Sequence, residues 1–283
     1  MGRVGRGQSL RAIAAALDGG ITHFDVARLY GYGEAEALVG EALQERRDKV
    51  VIASKFGLTA TRAAGALRAL KPLAQKLAAS VPGARSMMRS LVGVATQPAD
   101  RFSVVSARTS LDQSLAALKT DYLDILFLHD CAADDLSDEL AGFLDDQVKV
   151  GKIRAWGVAS DFDTVAALYA KHGDRLIYQF PSGLSLPNAD RLPAGDRRFI
   201  CHSPFAGSLR VAAALAGRVP GGDVHRAMLG YAMRAPNVAV VLCSMLDKAH
   251  LRANLAAVAQ PRFSDEELAA FAVMMAEPTI CAA

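Results

Sequence analysis

The stretch THFDVARLYGYGEAE, residues 22–36, changes its period within a few residues. A short apolar, β-prone run at 22–26 gives way to a glycine-punctuated loop, and a helical pattern follows to Leu43. A short strand leading at once into a helix is one half of a parallel βα unit. Working outward, the same alternation recurs along the chain. Strands are expected at 22–26, 50–55, 123–129, 153–159, 176–180, 198–203 and 238–243. Helices are expected at 10–17, 34–43, 107–118, 140–149, 164–171, 224–233 and 249–258. A last amphipathic stretch, 264–276, begins with a capping box of Ser264 and Glu267. Strands that lack polar alternation and are separated by helices predict a parallel sheet with helices outside it. A chain of 283 residues suits one domain, 1–283, of the (β/α)8 TIM-barrel type.

Two features depart from that plan. Seven strands are counted where a closed barrel needs eight, and the opening MGRVGRGQ is a poor strand, so the first barrel strand is apparently lacking. Either the start of this chain omits it or the barrel is open, and an absent strand leaves two edges to be covered. The second departure is an insertion at 58–100, far longer than a usual connection. It carries Arg62, Arg68, Lys71, Lys76, Arg85 and Arg89, with Asp100 its sole acid. Leaving a strand that ends in Lys55, it emerges on the face formed by the C-terminal strand ends. It is either a lid over a pocket or an amphipathic excursion with a solvated basic face.

Composition narrows the class. A net charge of +3 gives no global signal for nucleic acid. Cys131, Cys201, Cys243 and Cys281 follow no metal-ligand spacing and read as reduced thiols, so no metal is expected. No run approaches the roughly 18 apolar residues of a membrane span, and Asp18 ends the apolar stretch 12–17 too early for a signal-peptide core. A soluble, cytoplasmic protein is expected, without membrane or nucleic-acid partners; the oligomeric state is not legible.

Asp25, Tyr30, Lys55 and His129 fall at or just past the C-terminal ends of expected strands. A barrel gathers its chemistry on that rim. Together the four suit the delivery of a proton to a carbonyl oxygen while hydride reaches the carbon. Charge builds on that oxygen, so a donor must stand ready. Tyrosine, with a reference pKa near ~10, is expected to be acidified by a neighbouring ammonium. An aspartate can hold the lysine in place, and a neutral histidine can orient the substrate. Each residue also has a plainer reading, as a turn residue, loop aromatic, rim charge or satisfied strand-end histidine; four coincidences at the right strand ends are much harder to accept.

These strings resemble the aldo-keto reductase family over about residues 9–257. GITHFDVARLYGYGEAEALVGEAL resembles its Gly-Ile-x-x-Phe-Asp-Thr-Ala…Tyr-Gly segment, with Val26 where Thr is usual. SKFG at 54–57, TDYLDILFLHD, GKIRAWGVAS and FICHSPFAGSL resemble four further segments. The resemblance implies that Tyr30 is the general acid, with Asp25, Lys55 and His129 its partners, and that the enzyme interconverts aldehydes, ketones or sugars and alcohols using NADP(H), with NAD(H) or dual use also open.

No GxGxxG motif is present, so the cofactor is not expected in a Rossmann site. By resemblance Gln179 meets the nicotinamide carboxamide, Ser160 stands beside Ala159 where the family has Ser-Asn, and His202 takes the place of a stacking tyrosine. Ser203, Pro204, Phe205 and Ser208 continue a loop toward the pyrophosphate, and Asn254 is expected at the adenine. Where the family holds a 2′-phosphate with a Lys-Ser pair and an Arg, this chain has Ser244, Met245 and His250, with Lys248 and Arg252 nearby. Loss of a guanidinium clamp predicts reduced NADP(H) preference. Tyr32, Phe56 and Trp156 are candidate pocket walls, Trp156 equally a core residue. The alternatives are a catalytically weak or inactive relative that binds a small ligand or partner, and a different barrel enzyme such as an isomerase or lyase.

Overall fold

In a computed structural model, which describes residues 5–58, 100–193, 199–220, 223–245 and 247–276, strands and helices alternate as the patterning predicts. The elements are α1 (Arg6–Asp18), β1 (His23–Asp25), α2 (Ala35–Leu43), β2 (Val51–Phe56), α3 (Val104–Leu118), β3 (Leu123–His129), α4 (Asp138–Lys149) and β4 (Ile153–Ala159), then α5 (Phe162–His172), β5 (Ile177–Pro181), β6 (Phe199–His202), α6 (Ser208–Ala214), α7 (Val224–Arg234), β7 (Val238–Leu242), α8 (Lys248–Ala259) and α9 (Asp265–Ala276). Among the described residues the sheet has seven strands in chain order, β1 to β7. Among the described residues ahead of β1, Arg6–Asp18 form α1. The expected insertion lies outside the described residues except for Leu58 and Asp100, as does Cys281.

Contacts divide the chain into two compact units, residues 1–13 with 22–156 and residues 14–21 with 157–283. In the first, β1 pairs in parallel with β2, and β2 with β3, Asp25 lying opposite Ala53 and Lys55 opposite Phe127. Ile52, Leu126, Phe127 and Leu128 are fully buried, as strands covered on both faces require. Helix α2 packs on α3 at Gly40, where a Cβ would stand 2.4 Å from the Leu118 carbonyl oxygen. Ser103 and Ser137 cap α3 and α4, their hydroxyls accepting from Ser106 and Leu140 N–H.

At the N-terminal ends of β2, β3 and β4 lies a polar knot. The buried Asp124 carboxylate pairs with Arg47 at 2.8 Å and Arg154 at 2.9 Å, and accepts from Ile52 N–H at 2.9 Å. Both guanidiniums lie on the Tyr122 ring, 3.8 and 4.3 Å from its centroid. Trp156 is core, its indole N–H donating to Asp145 at 2.9 Å.

In the second unit β4, β5, β6 and β7 pair in parallel. A second core joins Leu184, Val211, Leu215, Met228, Tyr231 and Phe271. The capping box of α9 is formed in both directions, Glu267 N–H donating to Ser264 Oγ and Ser264 N–H to Glu267 Oε2. Helix α6, which the patterning did not predict, follows Gly207 at φ 65°. Gly157 faces Ile177 across β4 and β5, where a Cβ would fall 1.8 Å from the Ile177 oxygen. Backbone cannot yield as a side chain can. Gly157→Ala is therefore expected to cost at least about 3 kcal/mol, read as a lower urea midpoint or loss of soluble protein.

Candidate active site

Three neighbouring parallel strands end in polar residues. Asp25 is the last residue of β1, Lys55 the penultimate residue of β2, and His129 the last of β3. Tyr30 opens the short 3-10 turn Tyr30–Gly33 that follows β1. The Lys55 ammonium, 2% exposed, donates to the Asp25 carboxylate and, at 3.1 Å, to the Val26 carbonyl. The same ammonium lies 5.0 Å from the Tyr30 ring centroid. The edge of one ring meets the face of the other where Tyr30 packs on His129, with centroids 5.7 Å apart. All four expected residues are thus brought together within the first unit.

The electrostatics correct one expectation. Burial, followed by the Asp25 carboxylate, pushes the Tyr30 phenol above its ordinary range rather than below it. Burial and the Asp25 carboxylate outweigh the neighbouring ammonium, which itself donates to Asp25 and to Val26 O. Burial pulls Lys55 below its ordinary range, while Asp25 pulls it back up by charge and hydrogen bond. His23, also on β1, is held below its ordinary range, chiefly by burial. Tyr30 keeps 39% of its surface exposed, so its ring is reachable from solvent.

Behind this cluster lies a carboxylate that periodicity did not single out. Glu36, on α2, is 2% exposed. It accepts from Ser54 Oγ at 2.7 Å and pairs with Arg28 at 3.3 Å, and Arg28 also donates to Gln113 at 2.7 Å. Ser54 precedes Lys55 and Arg28 lies in the loop to Tyr30, so Glu36 ties together the two segments that carry those side chains.

The residues expected at a cofactor lie in the second unit, along successive strand ends. Ser160 follows β4, and its N–H donates to the Gln179 carbonyl at 3.1 Å. Gln179 is buried on β5. His202 ends β6, its Nδ1 2.9 Å from Ser203 Oγ. Ser203 adopts φ 59° and opens the loop to Pro204, Phe205 and exposed Ser208. Tight packing supports that loop: a Cβ on Gly183 would meet the Pro204 oxygen at 2.7 Å, and one on Gly207 would meet Ser185 Oγ at 2.9 Å. Buried polar groups at strand ends, with hydroxyls on a close-packed turn, fit a polar dinucleotide.

Ser244, Lys248 and His250 are exposed beyond β7. The N-terminus of α8, where backbone N–H groups could meet an anion, is already capped: Ala249 N–H donates to the Asp247 carboxylate at 2.6 Å. A negative group at that helix end fits a 2′-phosphate poorly. Asn254 is buried on α8, with Oδ1 2.7 Å from His225 Nε2. The side chain of Tyr32 lies outside the described residues. Burial pushes the thiols of Cys131 and Cys201 up to about 12 and that of Cys243 up to about 11. Among the described residues no helix is long and apolar enough to cross a membrane.

A sequence profile of the aldo/keto reductase family matches residues 2–175, more than half of the chain. The chain belongs to the aldo/keto reductase family. Among curated members it is 34% identical over 179 residues to the 6-dehydroglucose reductase of Novosphingobium aromaticivorans, covering 59% of this chain and 46% of that protein. It is 30% identical over 172 residues to aldo-keto reductase YhdN of Bacillus subtilis, covering 58% and 41%. The match thus spans less than half the length of these relatives. Solved members carry the fold comparison further. The holo form of an aldo-keto reductase from Bacillus halodurans gives a TM-score of 0.72 at 20% identity, covering 96% of this chain and 88% of that one. One from Klebsiella pneumoniae, in complex with NADPH, gives 0.63 at 24% identity, covering 98% and 89%. The fold is therefore the TIM-type α/β barrel of the family, with seven strands among the described residues.

Proposed function

We propose that this protein is a cytoplasmic NAD(P)H-dependent oxidoreductase that interconverts small carbonyl compounds and alcohols, with Tyr30 as general acid and base. One observation carries the reading: the buried Lys55 ammonium, held by Asp25, lies against the Tyr30 ring, which packs on His129 at the C-terminal strand ends. We read residues 1–283 as one barrel domain with 58–100 inserted.

When bound, the nicotinamide supplies the hydride. This chain's own residues do the rest. The Tyr30 hydroxyl donates its proton to the carbonyl oxygen as charge develops there. Lys55 holds positive charge beside the phenol as it becomes a phenolate, and Asp25 fixes Lys55. His129 orients the carbonyl by hydrogen bond. Oxidation reverses each step, with Tyr30 as base. Ser160, Gln179, His202, Ser203, Pro204, Phe205, Ser208 and Asn254 are the residues proposed to hold the cofactor. Ser244, Lys248 and His250 would border its adenosine end.

The test begins with titration of the purified protein with NADPH and NADH, followed by turnover with aldehydes, ketones and sugars. Failure to bind either cofactor would exclude the reading; binding without turnover would leave a ligand-binding relative. NADP(H) use is proposed on family grounds, with NAD(H) also accepted. Asp247 at the α8 N-terminus and Met245 in place of a hydroxyl argue for weak discrimination. We expect the two dissociation constants to agree within about tenfold. Asp247→Asn should move the ratio toward NADPH by roughly three- to tenfold, in keeping with one charge at a helix end. A strong NADPH preference in the unaltered protein would contradict this.

The direction of the Tyr30 shift makes a further prediction. Both causes raise its pKa, so the phenol persists through and beyond pH 10, the ordinary value. Reduction, which needs the phenol, should stay level from about pH 6 to about pH 9. Oxidation, which needs the phenolate, should climb with pH across the same range. A fall in reduction centred near neutrality would contradict it.

A further inference from the structure

We propose that Arg28 and Glu36 are positioning residues for Tyr30: their ion pair closes the loop that carries the phenol and so fixes where its hydroxyl stands. The proposal rests on the general-acid reading of Tyr30.

The loop gives Tyr30 little support of its own. After the buried Val26 and Ala27 it runs out through Leu29 and Tyr30, which keep 37% and 39% of their surface exposed. Gly31 and Gly33 follow at φ 63° and 90°. Glycine gives the chain those turns, but it also leaves the backbone the widest choice of other conformers. The Tyr30 N–H donates to the Ala27 carbonyl at 3.0 Å, which holds the start of the turn. The side chain beyond it has its edge-to-face contact with His129 and the neighbouring Lys55 ammonium.

Arg28 and Glu36 stand on either side of this stretch, two residues before Tyr30 and six after it. They are joined across it, with Arg28 Nη1 3.3 Å from Glu36 Oε2. Both ends of the bridge are anchored elsewhere. The other oxygen of Glu36 accepts from Ser54 Oγ at 2.7 Å, and Ser54 is fully buried on β2, beside Lys55. Arg28 reaches α3 through its second terminal nitrogen, donating to Gln113 Oε1 at 2.7 Å. The loop is thereby fastened to the strand that carries Lys55, through contacts in which the Tyr30 side chain takes no part. A general acid must stand within hydrogen-bond reach of the oxygen it serves. A displacement of about 1 Å can slow such a step by roughly a hundredfold.

The test opens the bridge without stranding a charge. In Arg28→Met with Glu36→Gln both charges leave together, and the new amide can still bond Ser54. Single-turnover reduction at saturating cofactor is expected to fall by about ten- to a hundredfold, with cofactor affinity unchanged. The same pair of changes placed in Tyr30→Phe should alter the residual turnover by less than about twofold, because the hydroxyl being positioned is already gone. An undiminished rate in the first variant overturns the proposal, even with a lowered melting temperature. So does a loss of equal size in the Tyr30→Phe background, which would place the effect elsewhere in the fold. Should the paired variant fail to fold, Glu36→Gln alone exchanges an ion pair for a neutral hydrogen bond; it is expected to give the same pattern at about fivefold, and the same two results overturn it. If Tyr30→Phe itself keeps its turnover, the general-acid reading fails and the proposal with it, an outcome distinct from additive losses.

Discussion

Tyr30→Phe is expected to reduce carbonyl turnover by about a thousandfold while leaving cofactor dissociation constants within about twofold. The substitution deletes one oxygen. The ring that remains can keep its edge-to-face contact with His129 and its place beside the Lys55 ammonium, so loss of packing would not account for the effect. The missing atom is the one proposed to carry the proton to the substrate. With 39% of Tyr30 exposed, the cost in stability should be small. The measurement is single-turnover reduction at saturating NADPH or NADH, with cofactor affinity read separately. Turnover within tenfold of the unaltered protein would exclude Tyr30 as general acid.

The second large effect concerns Asp25. Asp25→Ala leaves the Lys55 ammonium, 2% exposed, without its carboxylate. Breaking a buried pair from one side typically costs roughly 3–5 kcal/mol, a large share of a total stability of about 5–15 kcal/mol. The urea midpoint should fall accordingly, and turnover should fall too as Lys55 loses its anchor. Replacing both partners separates these effects. Asp25→Leu with Lys55→Met should recover most of the stability, since no charge is then stranded, yet turnover should stay low. A single variant as stable as the unaltered protein would show that losing Asp25 does not strand the Lys55 charge.

Much of the architecture was legible because these strands are short apolar runs bounded by loops. β3 and β4 occupy the expected residues, 123–129 and 153–159, while β1 is shorter at both ends. Helix α6 escaped because it is seven residues of mostly small side chains behind a positive-φ glycine. The cluster of Asp25, Tyr30, Lys55 and His129 was legible because parallel strands deliver their C-terminal ends to one rim. Glu36 was not, because within a helical pattern it reads as a surface charge; its burial is decided by Ser54 and Arg28, outside its own helix. The shift of Tyr30 was read with the wrong sign, since spacing brings an ammonium near but does not reveal that burial and the Asp25 carboxylate outweigh it. Asp247 and His225 could be understood only once α8 and its neighbours were in place.

The knot of Arg47, Tyr122, Asp124 and Arg154 fastens three strands at the ends away from Tyr30 and Lys55. Fastening there sets the strand register without drawing on the exposed side chains of Ala132 and Asp134 after β3. A combinatorial library confined to those exposed positions, sparing buried Cys131 and Leu136, should yield mostly well-folded variants, because the scaffold and the specificity it displays can be altered independently.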